Sequence, residues 1–199
     1  MTWLPLDVDD PEDATLVLGG LGVLDSLVHC VVGVPAGVLS QPFTEVNRAD
    51  FERTVGLSAW SLVWLCRMLL PALSRSEAPR VVTLTSALGH RPGPNYHTLG
   101  VAKAALEASM RYLAIELGPR GVLCNGVGFS LVPTPGAIAV VGEVPCLRTV
   151  AHLAKRAPTG HATDAADVAE LVSFLCSPAA RNITGEVITA DGGFSSLYF

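Results

Sequence analysis

The sequence predicts an α/β domain built on a parallel sheet, and three observations carry that prediction. Apolar, β-branched runs such as Arg80-Val81-Val82-Thr83-Leu84-Thr85 alternate along the chain with segments of helical spacing. The runs are continuous rather than alternating, which suits strands covered on both faces. Half of the 199 residues are apolar and only 16% are charged, enough to build a sizeable core in one domain spanning residues 1–199.

The elements follow in order. Leu4-Pro5-Leu6-Asp7-Val8 reads as a short strand ending in an acidic turn. Pro11-Glu12-Asp13 opens a brief helical stretch, with proline suited to a first turn, and Gly19-Gly20-Leu21-Gly22 stops it. The apolar run from Leu24 to Val32 reads as a buried strand closed by Gly33 and Pro35, and a long helical region follows from about Ala49 to Ala72. After the Arg80–Thr85 strand and a turn-rich stretch from Gly89 to Pro94, a helix is expected from about His97 to Leu117. Leu99, Leu106 and Leu113 recur there every seventh residue, Met110 and Leu117 widen the face, and Gly118-Pro119 ends it. Val122 to Val127 is the next strand. A Pro/Gly-containing segment, Leu131 to Pro145, precedes a short helix around Leu147 to Arg156. Thr163-Asp164 caps a last helix carrying Val168, Leu171, Val172 and Leu175. Glu186 to Ala190 makes the final strand, closed by Asp191-Gly192-Gly193.

Composition excludes several functions. A net charge of −5 with no basic block argues against nucleic acid or an anionic membrane as partner. Cys30, Cys66, Cys124, Cys146 and Cys176 are scattered and mostly flanked by apolar residues. They read as small core residues in a reducing compartment, with neither disulfide nor zinc spacing, and no metal site is expected. No signal peptide is visible at Met1-Thr2-Trp3-Leu4-Pro5. The most membrane-like stretch, Ala59 to Leu73, is short and holds Arg67 and Pro71, so it reads as a buried helix. A cytoplasmic protein is expected.

Two lysines stand against eleven arginines, which makes a lysine at a plausible reactive position informative. Tyr96 and Lys103 lie seven residues apart, about two helical turns, and so share a face. A nearby ammonium would favour phenolate and bring the tyrosine toward the working range of an acid/base catalyst. An ordinary surface lysine and a turn-packing tyrosine would satisfy the same spacing.

The surrounding residues resemble a known family. Asn95 through Ala108 closely resembles the Tyr-x6-Lys segment of enoyl-acyl-carrier-protein reductases, a divergent branch of the short-chain dehydrogenase/reductase superfamily. The resemblance continues in Asp7-Val8, Leu27 to Cys30, Arg111 to Ala114, Gly118 to Val122, Cys124-Asn125, Ile183 to Glu186 and Asp191 to Gly193. Commoner superfamily members use Tyr-x3-Lys, which would place a tyrosine at Leu99. The resemblance implies a Rossmann-like, doubly wound parallel sheet. It implies NADH or NADPH as cofactor, and an acyl thioester of acyl carrier protein or coenzyme A as substrate, reduced at its enoyl double bond in fatty-acid biosynthesis. By the same resemblance Tyr96 would bond the thioester carbonyl and Lys103 the nicotinamide ribose. Asp7 and Val8 would lie near the adenine, Cys30 and Val31 beside the cofactor, and Thr85 by the nicotinamide ribose. Val132 and Thr134 would contact the nicotinamide amide and pyrophosphate. The helices over Ala49–Ala72 and His97–Leu117 would make a homo-oligomer, a dimer or tetramer.

Four positions depart from the family pattern. Ser86, seventeen residues before Lys103, stands where many enoyl reductases carry an aromatic and commoner dehydrogenases a catalytic serine. Its hydroxyl could bond a substrate carbonyl, which suits ketone reduction, or could cap a turn. Ser130-Leu131 replaces the usual Gly-Pro, and Val32 stands where a glycine is usual. A ketoreductase or alcohol dehydrogenase, and a non-catalytic scaffold, therefore stand beside the enoyl reductase.

A dinucleotide fold needs a glycine-rich turn running from a strand into a helix N-terminus. Gly19 to Gly22 follows a helix and precedes a strand, the reverse order, and is rejected as a phosphate loop. By resemblance the chain begins at the third strand and lacks the first two βα units, each of roughly 30 residues. In the 3-2-1-4-5-6 order those strands lie between the third and fourth. Their loss would strip the Leu4–Val8 strand of neighbours and expose the apolar edge of Leu24–Val32. A truncated start is expected, and the chain as written is expected not to turn over.

Overall fold

The computed structural model describes residues 5–8, 10 and 18–197. Within them, β1 (Ser26–His29), β2 (Arg80–Ser86), β3 (Leu123–Phe129) and β4 (Val187–Ala190) form one parallel sheet in that spatial order. Ser26 lies opposite Arg80, Arg80 opposite Leu123, and Gly126 opposite Val187. A Cβ at Gly126 would come within 3.1 Å of Val187 Cγ2, so glycine allows β4 to close against β3.

Successive strand residues face opposite sides, and each side has its own core. Val81 packs with Leu62 and Leu65 from one helix and Leu106 and Met110 from another. Val82 packs with Val127, Val168 and Leu175 on the other face. The first face is covered by α1 (Arg48–Val55), a π-turn at Gly56–Trp60, α2 (Ser61–Leu73) and α3 (His97–Leu117). The second is covered by α6 (Ala165–Cys176), while α4 (Pro135–Val141) and α5 (Glu143–Arg156) pack on each other between β3 and α6 in the chain. Helices on both faces of a parallel sheet make this the expected doubly wound α/β fold.

Helix α3 has the boundaries read from its leucines, and Leu99, Leu106, Met110, Leu113 and Leu117 are all buried. Arg48–Leu73 runs as one 26-residue stretch, long and apolar enough by composition to cross a membrane. Length therefore does not make it a core helix. Burial does, because Leu62, Leu65, Leu69 and Leu73 are packed against α3 and β2.

Other expectations are corrected. Pro5 to Val8 form no strand, and Leu4 lies outside the described residues. A strand needs a neighbour for its backbone groups. Lacking one, Leu6 and Val8 pack instead against the α2–α3 core with Leu18, Leu21 and Leu24. The helix expected at Pro11-Glu12-Asp13 lies outside the described residues. The Leu24–Val32 strand shrinks to Ser26–His29, the part that pairs with β2. Its expected apolar edge is real: Val28 is 42% and Val32 50% exposed. The segment from Leu131 to Pro145 holds α4, capped by Thr134. Of the expected Thr163-Asp164 cap, Asp164 is the residue that caps α6, through a reciprocal box with Asp167. Cys66, Cys124 and Cys146 are core residues as read, but Cys30 is exposed and Cys176 half-buried. The Gly19–Gly22 turn offers carbonyls rather than N–H groups, since Arg75 donates to Leu21 O at 2.7 Å and Gly22 O at 2.9 Å.

Candidate active site

The carboxyl ends of the strands hold the cluster of interest. Ser86 ends β2, and its Oγ accepts from Leu88 N at 3.2 Å, capping the short turn Ala87–Gly89. The same hydroxyl lies beside the Tyr96 phenol and acts on it as a hydrogen-bonding neighbour that lowers its pKa. The turn-cap reading of Ser86 therefore holds. Tyr96 stands just before α3, and its carbonyl accepts from Gly100 N at 2.6 Å. A Cβ at Gly100 would lie 3.0 Å from Leu88 O and 3.5 Å from Tyr96 Cδ1. Glycine thus lets the turn after Ser86 rest on the first turn of α3.

Lys103 is only 7% exposed. Pairing of β1 with β2 stops at His29, opposite Thr83, and the next carbonyl of β2, Leu84 O, accepts from Lys103 Nζ at 2.9 Å. Burial lowers the Lys103 pKa to about 8, against the upward pull of Cys30 and Glu107. The phenol of Tyr96 is shifted upward, because desolvation outweighs the Ser86 hydrogen bond. The expectation that Lys103 draws Tyr96 toward phenolate is corrected. Tyr96 is a protonated donor at neutral pH, since burial penalises the anion more than its surroundings reward it.

Beside this cluster a cleft of about 470 Å³ opens between the sheet and α6. Cys30, Leu84, Phe129, Val132, Thr134 and Val168 are among its walls. Cleft and cluster share Cys30, which acts on Lys103 electrostatically, and Leu84, whose carbonyl holds it. Ser130 donates to Thr163 Oγ1 at 3.2 Å, and Thr163 donates to Ala190 O at 2.9 Å, tying the ends of β3 and β4 together beside the cleft.

The residues read from the sequence divide accordingly. Ser86 and Tyr96 lie side by side at the end of β2, Lys103 reaches Leu84 O two residues before Ser86, and Cys30, Val132 and Thr134 line the cleft. Thr134 also spends its hydroxyl on Ala137 N as the cap of α4. Val31 is half-buried just beyond Cys30 and is not a cleft wall. Thr85 turns its hydroxyl away from the cleft, donating to Glu107 Oε1 at 2.8 Å. Asp7 is exposed and Val8 joins the α2–α3 core, on the sheet face opposite the cleft. Sequence reading passed over Glu107, although an acid four residues after Lys103 on an otherwise apolar helix face was a visible signal. It also passed over Phe129, whose place in the cleft follows from strand register alone.

The family model described as enoyl-(acyl carrier protein) reductase matches residues 1–195. The enoyl-(acyl-carrier-protein) reductase (NADH) FabI of Nostoc sp. is 33% identical over 199 residues, covering 98% of this chain and 75% of that one. The corresponding Neisseria meningitidis protein is 32% identical over 194 residues, covering 95% and 73%. Among solved structures, the Bacillus cereus enoyl-acyl carrier protein reductase, crystallised with NADP+ and indole naphthyridinone, superposes with a TM-score of 0.91 at 30% identity. That match covers 98% of this chain and 76% of the other. The Aquifex aeolicus enzyme gives 0.88 at 31% identity, covering 96% and 74%. With its tyrosine just before α3 and its lysine seven residues on, reaching the end of the second described strand, the chain belongs to the enoyl-(acyl carrier protein) reductase family.

Proposed function

We propose that this chain is an oxidoreductase domain that reduces the carbon–carbon double bond of an enoyl thioester, carried on acyl carrier protein or coenzyme A, with NADH or NADPH. The observation that carries it is the Ser86–Tyr96 hydroxyl pair beside the buried Lys103, in a chain whose named relatives are NADH-dependent enoyl reductases.

The described residues fit the nicotinamide–ribose end of such a cofactor. Lys103 spends one of its three N–H groups on Leu84 O, and an ammonium has two more for ribose hydroxyls. The adjoining apolar cleft suits a flat ring. Among the described residues no Gly-x-Gly-x-x-Gly turn leads from a strand into an α-helix, so they account for that end alone. When bound, the reduced nicotinamide supplies a hydride to the β-carbon of the substrate. Tyr96, kept protonated by burial, donates to the thioester oxygen as charge builds there. Ser86 orients the phenol from below, and the Gly100 approach holds that turn in place.

A second reading, reduction of a keto group, draws on the same Ser86–Tyr96 pair, since a serine and tyrosine together can hold a carbonyl. Crotonyl and acetoacetyl thioesters, each with NADH and NADPH, separate the two. Consumption of the crotonyl ester is expected of a version that carries two further βα units ahead of these residues, with Tyr96→Phe slowing it by about 10²–10⁴-fold. Turnover of the keto ester alone would replace the first reading with the second. Micromolar nicotinamide binding, read by fluorescence, counts against a non-catalytic scaffold, and the same assays decide whether the 199 residues turn over unaided.

Two further properties belong to this reading. Free cysteines throughout suit a reducing compartment such as the cytoplasm. Tyr112 and Ile115 are each 80% exposed on α3, and Trp60 and Val63 are exposed on the neighbouring helix, which suits a homo-oligomer joined through these helices.

A further inference from the structure

Glu107 is 5% exposed, and a buried carboxylate is costly unless donors or a cation satisfy it. Its Oε1 accepts the Thr85 hydroxyl at 2.8 Å. It lies one helical turn beyond Lys103, on the same face of α3, and its charge acts on that ammonium. Gly89 closes over it: a Cβ there would come 2.7 Å from Glu107 Oε1 and 3.3 Å from Lys103 Cβ. Thr85 immediately precedes Ser86, and Gly89 follows it by three residues. One carboxylate therefore touches both flanks of Ser86 from one helical turn beyond the lysine.

We propose that Glu107 is a positioning residue, locking the Ser86-bearing end of β2 onto α3 and holding the Lys103 ammonium in place. The functional weight of this rests on reading Lys103 as a cofactor-holding group, but the interaction can be tested without that reading. The groups that act on Lys103 are His29 and Cys30 at the end of β1 and Glu107 on α3. His29 is neutral because burial holds its pKa near 4, and partial burial holds the Cys30 thiol above its ordinary range. Glu107 is thus the carboxylate among the groups that act on Lys103.

The chain holds only two lysines, Lys103 and the exposed Lys155, so ε-13C-lysine NMR resolves both. The Lys103 signal is expected to titrate near pH 8. In Glu107→Gln, which keeps an acceptor for Thr85 and removes the charge, the midpoint should fall by about one pH unit while Lys155 stays put. An unchanged Lys103 midpoint in the folded variant overturns the proposal. Should Glu107→Gln not fold, Glu107→Asp retracts the charge by one methylene and should lower the midpoint by less. No movement there overturns it equally. NADH titrated at pH 8 and pH 6 supplies the second arm: Glu107→Gln should bind several-fold more weakly at pH 8 and recover at pH 6. A moved lysine midpoint without any change in NADH binding would fault the cofactor reading and leave the Glu107–Lys103 interaction standing.

Discussion

His29 is a small case of how burial sets the chemistry of one side chain. It is 1% exposed, with Nε2 2.9 Å from Ser61 Oγ and Nδ1 2.9 Å from Thr83 Oγ1. Ser61 donates to Leu57 O across the π-turn, so its oxygen accepts from His29 Nε2, and Nδ1 accepts from Thr83. The neutral ring satisfies every partner. Burial opposes a second ring proton and the Lys103 charge repels it, which puts the pKa at about 4. The folded value lies below the unfolded 6.5, so the unfolded chain binds the extra proton between those values. Stability is therefore full above pH 6.5 and is lost as pH falls through about 4, by about 3 kcal/mol in all. Urea midpoints at pH 7 and pH 4 should show that loss, and His29→Gln should flatten it. A wild-type midpoint that does not move between them refutes the assignment. Lys103, lowered from 10.5 to about 8, acts in another window: its burial costs stability below pH 8, and the cost is relieved as pH rises toward 10.5. Neither histidine nor lysine environment was readable from residue order, because each depends on groups brought in from other elements.

At the scale of elements, α6 depends on its first turn. Asp164 accepts from Asp167 N at 2.9 Å, and Asp167 Oδ2 accepts from Asp164 N at 3.0 Å. Asp164→Ala should cost about 1 kcal/mol and loosen the cleft wall that Val168 provides. Thermal unfolding within experimental error of wild type would show that the box contributes nothing. The ends of α3 were legible because a periodic leucine face ran into Gly118-Pro119, and both signals are local. The short β1 and the absent Leu4–Val8 strand were not, because strands exist only where a neighbour takes their hydrogen bonds. Helix α4 was hidden for a different reason: Thr134-Pro135, a helix cap and first-turn proline, resembles a turn in sequence.

For the whole molecule, the exposed apolar side chains on α2, α3 and the π-turn are the feature that needs a partner. Ile115→Glu, together with Tyr112→Asp, should shift the protein from an oligomer to a monomer in sedimentation velocity while leaving its circular dichroism intact. A wild-type protein that sediments as a monomer at tens of micromolar would sink the oligomer reading. The exposed Val28 and Val32 mark a second apolar region, at the free side of β1.

The sequence by itself determined the α/β class, the order of strands and helices and the Tyr96–Lys103 spacing, all of which rest on periodicity and neighbouring residues. It also carried the family, through motifs spread along the chain. Only the tertiary structure decided that Ser86 lies beside Tyr96, that Tyr96 stays protonated, that Thr85 turns to Glu107 and that Lys103 is held near pH 8. Those outcomes turn on desolvation and on contacts between strand ends and α3, up to 22 residues apart along the chain for Thr85 and Glu107. Residue order specifies the elements, and their packing sets the charge on the groups they carry.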